Sequence, residues 1–125
     1  MKRILTICAL ILTFCISAVA QGEPQQTKNE DTYQIIKDEI VDGIRYVSAA
    51  PSKDVCAKQI DITIKKNIIQ EVKFTRGCPG NALGVGALIK GMTIKEAIKR
   101  LDGIPCGKKS TSCPDQLAQV LKSLK

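Results

Sequence analysis

Four cysteines lie outside the apolar N-terminal segment, and two of them stand where a helix is expected to begin. Cys78 and Cys113 are each followed directly by a proline and then by a helical pattern. Proline is favoured at the first helical position, which places each cysteine at or near a helix N-cap. A helix N-terminus offers free N–H groups and the positive end of the helix dipole, and this setting favours the thiolate. The sequence therefore points to sulfur chemistry.

The composition excludes several other chemistries. The chain of 125 residues contains no histidine, which excludes Ser–His triads, histidine general bases and mixed Cys/His zinc sites. It has no tryptophan and only two tyrosines and two phenylalanines, so it lacks the stacking platforms of single-stranded nucleic-acid binders. The net charge of +7 is spread along the chain, as on a solvated lysine-rich surface. We therefore expect no nucleic-acid partner.

The N-terminal segment has the layout of a secretory signal peptide. Residues 1–20 begin with two basic residues, continue as an apolar stretch and end in a small-x-small cleavage site at Ala20. Such a signal would direct export to the periplasm or cell envelope, and its cleavage would remove Cys8 and Cys15. The competing interpretation is an uncleaved anchor, since the apolar stretch approaches the length of a membrane span. The leader would then be the contact with the membrane.

The rest of the chain is predicted to hold a linker and one small domain. Residues 21–31 are polar and are typical of a flexible linker. Residues 32–125 form the domain. A domain of this size buries a modest core, so a metal or a disulfide would contribute to its stability.

The domain sequence predicts an α+β fold with a small antiparallel sheet. Residues 58–64 alternate polar and apolar, as a half-buried strand does, and residues 68–75 form a second strand after a turn. This hairpin, about residues 58–75, is expected to be packed on one face by C-terminal helices. The predicted helices cover about residues 79–90, 94–101 and 114–123.

Two helices carry more specific signals. Thr93 and Glu96 form a capping-box pattern ahead of the second helix. The last helix has a regular apolar face, which we expect to be buried, formed by Leu117, Val120, Leu121 and Leu124.

The segment before the hairpin is open to two interpretations. Residues 33–41 carry apolar side chains at nearly helical spacing, which predicts a short helix, followed by a short strand at residues 44–47. The alternative is a hairpin through Asp42 and Gly43, because Asp-Gly is typical of two-residue β-turns.

The placement of the cysteines predicts that they converge. Cys56 precedes the first strand of the hairpin and Cys78 follows the second, so the ends of the hairpin bring them together. Cys106 and Cys113 share one loop between helices. If that loop lies at the same end of the sheet, four sulfurs meet. A tetrahedral metal site would hold them through metal–sulfur bonds of roughly 2.3 Å.

The residues around the cysteines suit an anionic or metal-bound centre. Three cations offset the charge of thiolates, and three glycines leave backbone N–H groups open. Asp115 either stabilises the start of the last helix or supplies an oxygen ligand. The cations are Arg76, Lys108 and Lys109, and the glycines are Gly77, Gly80 and Gly107.

The state of the sulfurs has three interpretations: disulfides, a bound metal, or a reactive thiol pair. An exported protein meets an oxidising compartment, where an even number of cysteines usually forms disulfides. No spacing matches the Cys-x-x-Cys knuckle of a zinc ribbon. Spacing alone therefore does not choose among the three.

Longer motifs resemble those of the TSCPD-domain family. The string TSCPD stands at residues 111–115, with GCPGN at residues 77–81 and LDGIPCG at residues 101–107. The resemblance runs from about Tyr46 to the C-terminus. It carries the family's four cysteines onto this chain position by position, and we interpret them as ligands of one zinc or iron–sulfur centre. They are Cys56, Cys78, Cys106 and Cys113.

The resemblance also implies a functional context. In that family the domain occurs alone and as a C-terminal appendage of ribonucleotide reductases, notably adenosylcobalamin-dependent ones, and its setting is otherwise cytoplasmic. Stand-alone members carry the label ribonucleoside-diphosphate reductase by association. That chemistry needs a large barrel with a radical cysteine and a nucleotide pocket, for which this domain has no room. The resemblance therefore implies an accessory module without catalytic residues of its own, partnered by a ribonucleotide-reductase-like or thiol-redox protein.

Two other functions remain as alternatives. One is a thiol redox activity linked to ribonucleoside-diphosphate reductase, and the other is a disulfide-stapled structural domain of the cell envelope. A fainter resemblance to U-type iron–sulfur scaffold proteins would match Cys56, Cys78 and Cys113 to three cluster ligands, with Cys106 extra. Asp54 lies near Cys56, but on the opposite side from the aspartate of those scaffolds.

Overall fold

A computed structural model describes residues 33–124, so the predicted signal peptide, linker and first two cysteines lie outside the described residues. Within this part of the chain, a four-stranded antiparallel sheet of order β1-β2-β3-β4 is followed by three helices. None of these helices is long and apolar enough to cross a membrane. The elements are β1 (Tyr33–Val41), β2 (Ile44–Pro51), β3 (Gln59–Lys65), β4 (Ile68–Thr75), α1 (Pro79–Ile89), α2 (Ile94–Leu101) and α3 (Cys113–Ser123).

Two-residue turns join the strands of the outer hairpins. Asp42 and Gly43, between β1 and β2, have φ of 51° and 75°. Lys66 and Asn67, between β3 and β4, have φ of 48° and 66°. Left-handed conformations at both central residues are the signature of type I′ turns, whose twist matches that of the paired strands. The β3–β4 hairpin therefore agrees with the sequence prediction.

The predicted helix at residues 33–41 is wrong, because this segment is strand β1. The hairpin through Asp42 and Gly43, the alternative interpretation, is the one that forms, and β2 extends beyond the predicted short strand to Pro51. The apolar spacing was misleading because β1 is an edge strand. Its apolar side chains are largely solvent-exposed, Ile36 by 61% and Ile40 by 70%, so they do not mark the buried face of a helix.

The core lies between one face of the sheet and the helices. Ile60, Ile62 and Ile64 of β3 alternate with less buried residues, as predicted, and point toward the helices. Helix α3 packs on β1 and β2 and against α2, while α1 packs along β4. The fold is therefore α+β, with an antiparallel sheet packed by the C-terminal helices.

The helix boundaries follow the predicted caps closely. The Thr93 side chain accepts a hydrogen bond from the Glu96 amide (3.1 Å) at the start of α2. Helix α1 ends at Ile89 and α3 begins at Cys113, each one residue from the predicted limit. The side-chain cap of α2 and the prolines that follow Cys78 and Cys113 are thus enough to place the helix starts.

Gly86 is required by the close packing of α1 on β4. A Cβ added there would lie 2.7 Å from the Val72 carbonyl oxygen, whereas one added at Gly84 would meet nothing within 4 Å. We expect Gly86→Ala to lower the free energy of unfolding by about 1–3 kcal/mol, because a backbone oxygen cannot move aside. The matched Gly84→Ala should be neutral or stabilise by up to about 1 kcal/mol. Urea denaturation in dilute solution measures both, and equal midpoints would contradict the packing argument.

Arg45 ties the end of α3 to the first hairpin. Its guanidinium donates to both carboxylate oxygens of Asp38 (2.7 and 2.6 Å) and to the Leu124 carbonyl (2.8 Å). The hydrogen bond from Arg45 lowers the pKa of Asp38 below its ordinary value of 3.8. The folded protein therefore holds this proton less tightly than the unfolded chain does.

This pair makes stability depend on pH in one direction. Because the folded pKa of Asp38 is depressed, its contribution is complete above the unfolded value, near 3.8, and is lost as the pH falls through the folded pKa. Asp38→Asn removes that contribution. We expect the difference in unfolding free energy between wild type and Asp38→Asn to shrink as the pH falls from about 6 to below about 3. Chemical denaturation across this range tests it, and a difference that stays constant would show that the pair is not coupled to folding.

Candidate functional site

One cavity brings together all four cysteines of the described residues. It has a volume of about 50 Å³ and lies at the end of the sheet where β3 begins and β4 ends. Its four cysteines are free thiols, three of them exposed and Cys113 half-buried. The complete lining is Asp54, Val55, Cys56, Cys78, Asn81, Cys106, Lys109, Ser112, Cys113 and Pro114.

The ends of the β3–β4 hairpin hold the first two cysteines close together. The Lys58 amide donates to the Thr75 carbonyl (2.8 Å), which extends the strand pairing up to the segment that carries Cys56. Gly77 then turns the chain with φ of 101°, and a Cβ there would lie 3.9 Å from the carbonyl carbon of Cys56. This close backbone approach delivers Cys78 to the same cavity.

Two of the cysteines stand at helix starts, as the sequence predicted. Cys78 is the N-cap of α1, and its side chain makes no capping hydrogen bond. Cys113 is the first residue of α3, where Ser112 is the N-cap and its hydroxyl accepts from the Asp115 amide (3.2 Å). Both sulfurs therefore lie beside the positive end of a helix dipole.

Asp115 fixes the loop that carries Cys106. It is buried, and one carboxylate oxygen accepts from the Gly103 amide (2.7 Å) while the other accepts from the Thr111 hydroxyl (2.7 Å). One side chain thus holds both ends of the loop. Asp115 lies in the first turn of α3, where we expected it to stabilise the helix start, and among the described residues it is not part of the cavity lining.

Gln116 is a positioning residue that the sequence analysis missed. It is 2% exposed, accepts from the Ser52 amide (2.9 Å) and donates to the Thr111 hydroxyl (3.0 Å). These bonds connect the segment before Cys56 to the start of α3. A signal was present, because Gln116 lies four residues before Val120 on the predicted buried face, where a polar side chain needs partners.

Lys109 places a positive charge at the cavity. Its ammonium donates to the Asp54 carbonyl (2.7 Å), which joins the Cys106 loop to the segment that carries Cys56. Of the other two cations expected near the sulfurs, neither Arg76 nor Lys108 lines the cavity. The positive charge at the cavity therefore comes from Lys109 and the helix starts.

The TSCPD domain family matches residues 32–125, which is most of the chain. The chain belongs to the TSCPD-domain family. The match does not extend to U-type iron–sulfur scaffold proteins, so that fainter similarity is not shown. No curated protein and no solved structure matches the chain.

The thiols of this TSCPD domain fit a metal by their chemistry, but not by their spacing. Four thiols are the soft donor set that zinc and iron–sulfur clusters take. Residues 33–124 contain no group of three or more acidic or cysteine side chains close enough together to hold an ion. The close tetrahedral spacing expected from the sequence is therefore not present.

Removal of the Asp115 carboxylate should release the Cys106 loop. Asp115→Ala leaves the Gly103 amide and the Thr111 hydroxyl without their acceptor, so we expect the free energy of unfolding to fall by about 2–4 kcal/mol. The matched control is Asp102→Ala, because Asp102 is exposed and pairs with Lys122 at the surface (2.6 Å). That change should cost less than about 1 kcal/mol.

A local measurement separates loop release from general destabilisation. Lys108 and Lys109 are trypsin sites inside the loop that Asp115 holds. Under conditions where both variants are folded, trypsin should cut after these lysines faster in Asp115→Ala than in Asp102→Ala. Equal cleavage rates would mean that the carboxylate does not restrain the loop.

Proposed function

We propose that this TSCPD domain is an accessory module that binds one metal centre, zinc or an iron–sulfur cluster, through Cys56, Cys78, Cys106 and Cys113. The observation that carries the proposal is the single cavity lined by all four thiols, which come from separate segments of the chain. Four cysteines without a common role would not be expected to line the same cavity. We assign no catalytic residue to the domain.

The surroundings of the thiols support a thiolate-bound ion. A divalent ion with four thiolates carries a net negative charge, which needs offsetting nearby. The N-termini of α1 and α3 and the ammonium of Lys109 supply positive charge at the cavity. When bound, the ion would act as a cross-link or as an electron carrier, according to its identity.

A bound centre would also support the fold. It would link the two ends of the β3–β4 hairpin to the Cys106 loop and to α3, which are distant in sequence. Metal binding and folding are coupled in small domains, because the ligands are brought together only in the folded state. We therefore expect the metal to raise the melting temperature of the protein.

The partner that we propose is a ribonucleotide-reductase-like or thiol-redox protein, following the association of the family with such reductases. If the predicted leader is cleaved, the site works in the periplasm or cell envelope. There, oxidation competes with metal for the same sulfurs. We propose a metal-loaded form in a reducing cytoplasm and a partly oxidised, metal-free form after export.

Thiol exchange is the second candidate function, and the exposure of the sulfurs favours it. Cys56, Cys78 and Cys106 are exposed, so a partner thiol could reach them for thiol–disulfide exchange. Disulfide formation between Cys106 and Cys113 would exclude a four-sulfur metal centre. Metal content and free-thiol count on the same sample therefore distinguish the two functions.

Cys113→Ser tests the metal site directly. We expect the reduced wild-type chain to bind one equivalent of Zn²⁺ or Co²⁺ and Cys113→Ser to lose stoichiometric binding. The affinity should fall by more than the roughly 10–100-fold that loss of an outer-sphere partner costs. Elemental analysis, the thiolate–Co²⁺ absorption bands and the melting temperature with and without metal are the measurements. Iron and acid-labile sulfide are measured on protein isolated without oxygen.

Cys15→Ser in the full chain is the control, because Cys15 lies in the predicted leader and is not among the four proposed ligands. It should retain full metal content. If Cys113→Ser also keeps full metal content and an unchanged melting temperature, Cys113 is not a ligand. The four-sulfur proposal would then be wrong.

A further inference from the structure

A tight turn fixes the backbone of Lys109 beside Cys106. The Lys109 amide donates to the Cys106 carbonyl (3.0 Å), and the two residues form an isolated antiparallel bridge. Gly107, the first central residue of the turn, has φ of 60°, a left-handed conformation that glycine adopts without strain. A contact that positions Lys109 therefore positions Cys106 as well.

The side chain of Lys109 reaches a distant segment of the chain. Its ammonium donates to the carbonyl oxygen of Asp54 (2.7 Å), and Asp54 lies two residues before Cys56. Both Lys109 and Cys56 line the cavity that contains the four thiols. This hydrogen bond thus connects the turn of Cys106 to the segment that carries Cys56.

The two connected segments differ in how the rest of the protein holds them. Val55 and Ala57, on either side of Cys56, are 5% and 1% exposed, so hydrophobic burial anchors this segment. All residues from 102 to 110 are exposed, so burial does not anchor the turn of Cys106. The Cys56 segment is therefore the fixed support, and the turn depends on polar contacts.

The buried polar residues of the site act away from the tip of this loop. Asp115 holds the two ends of the loop, at Gly103 and Thr111. Gln116 joins Thr111 to the segment before the β3–β4 hairpin. These hydrogen bonds lie at the base of the loop. The contact that reaches across the cavity from its tip is the one made by Lys109.

We propose that Lys109 is a positioning residue for the thiols, which holds the turn of Cys106 against the segment of Cys56 and so determines which sulfur Cys106 joins on oxidation. With the hydrogen bond in place, Cys106 favours a hairpin–loop disulfide, to Cys56 or Cys78. Without it, Cys106 pairs with Cys113, which shares its loop. This role rests on the proposed function in that it concerns the same four thiols, but it requires no bound metal.

The oxidant in this step is a small disulfide such as oxidised glutathione. One protein thiolate attacks it, which forms a mixed disulfide and releases one glutathione thiol; a second protein thiolate then displaces the other glutathione. In total, two protein thiols lose two electrons and two protons and become one S–S bond, while the glutathione disulfide becomes two thiols. Because the second displacement is intramolecular, the positions of the thiols determine which pair forms.

Disulfide mapping by mass spectrometry tests the proposal on the full chain, in which Cys8→Ser and Cys15→Ser simplify the possible pairs. The reduced, metal-free protein is oxidised with oxidised glutathione, and the ratio of hairpin–loop disulfides to the Cys106–Cys113 disulfide is measured. We expect hairpin–loop disulfides to predominate without a change at Lys109. In Lys109→Met the ratio should fall by at least about threefold, because a hydrogen bond from a charged group at an exposed site contributes modestly.

Two further variants separate this role from a general effect of charge or stability. Lys108→Met removes the neighbouring charge in the same loop, but Lys108 does not line the cavity, so the ratio should stay unchanged. Lys109→Arg keeps a cationic donor at the same position and should restore most of the ratio that Lys109→Met loses. Circular dichroism checks that each variant is folded.

Four results would overturn the role of Lys109. They are a Cys106–Cys113 disulfide as the main product without a change at Lys109, a ratio that Lys109→Met leaves unchanged, an equal fall in Lys108→Met, and a folded Lys109→Arg that behaves like Lys109→Met.

Zinc content, measured on separate reduced samples, reports on the metal-site proposal. A chain that binds no zinc but shows the expected ratios would contradict the metal site and support the role of Lys109. A chain that binds zinc while Lys109→Met keeps the ratio would do the opposite.

Discussion

The antiparallel pairing of β3 with β4 is the interaction on which the site depends. It brings the two ends of the hairpin side by side, and the turn at Gly77 carries Cys78 to within reach of the Cys56 segment. The same strands bear the buried isoleucines against which the helices pack. The core and the part of the cavity formed by Cys56 and Cys78 therefore both depend on this hairpin. A change in its register would disrupt both.

The second half of the cavity is held by buried polar groups. Asp115 holds both ends of the Cys106 loop, and Gln116 joins α3 to the segment before Cys56. Loops of this kind have little apolar surface to bury, so hydrogen bonds in a water-poor environment determine their position. Since both residues lie on the first turn of α3, the placement of that helix also places the loops, and with them the sulfurs.

The elements with strong local patterns were predictable. The alternation in β3 and the caps of α2 and α3 correspond to the structure within about a residue. The prediction failed at β1, where Ile36 and Ile40 are exposed on an edge strand. A periodicity argument assumes that apolar residues mark a buried face, and an open edge breaks that assumption. The Asp42-Gly43 turn was the better guide, because its left-handed geometry is a local property of those two residues.

The sequence by itself determined which groups are available and where they stand locally: thiols without histidine, a hairpin with a cysteine beyond each end, and two helix starts at cysteines. Only the tertiary structure decided that the Cys106 loop lies at the same end as the hairpin termini and that Asp115 is structural. The physical reason is the distance along the chain over which each interaction acts. Periodicity and capping act over a few residues, whereas the position of the loop depends on how α3 packs on β1 and β2, far away in the chain.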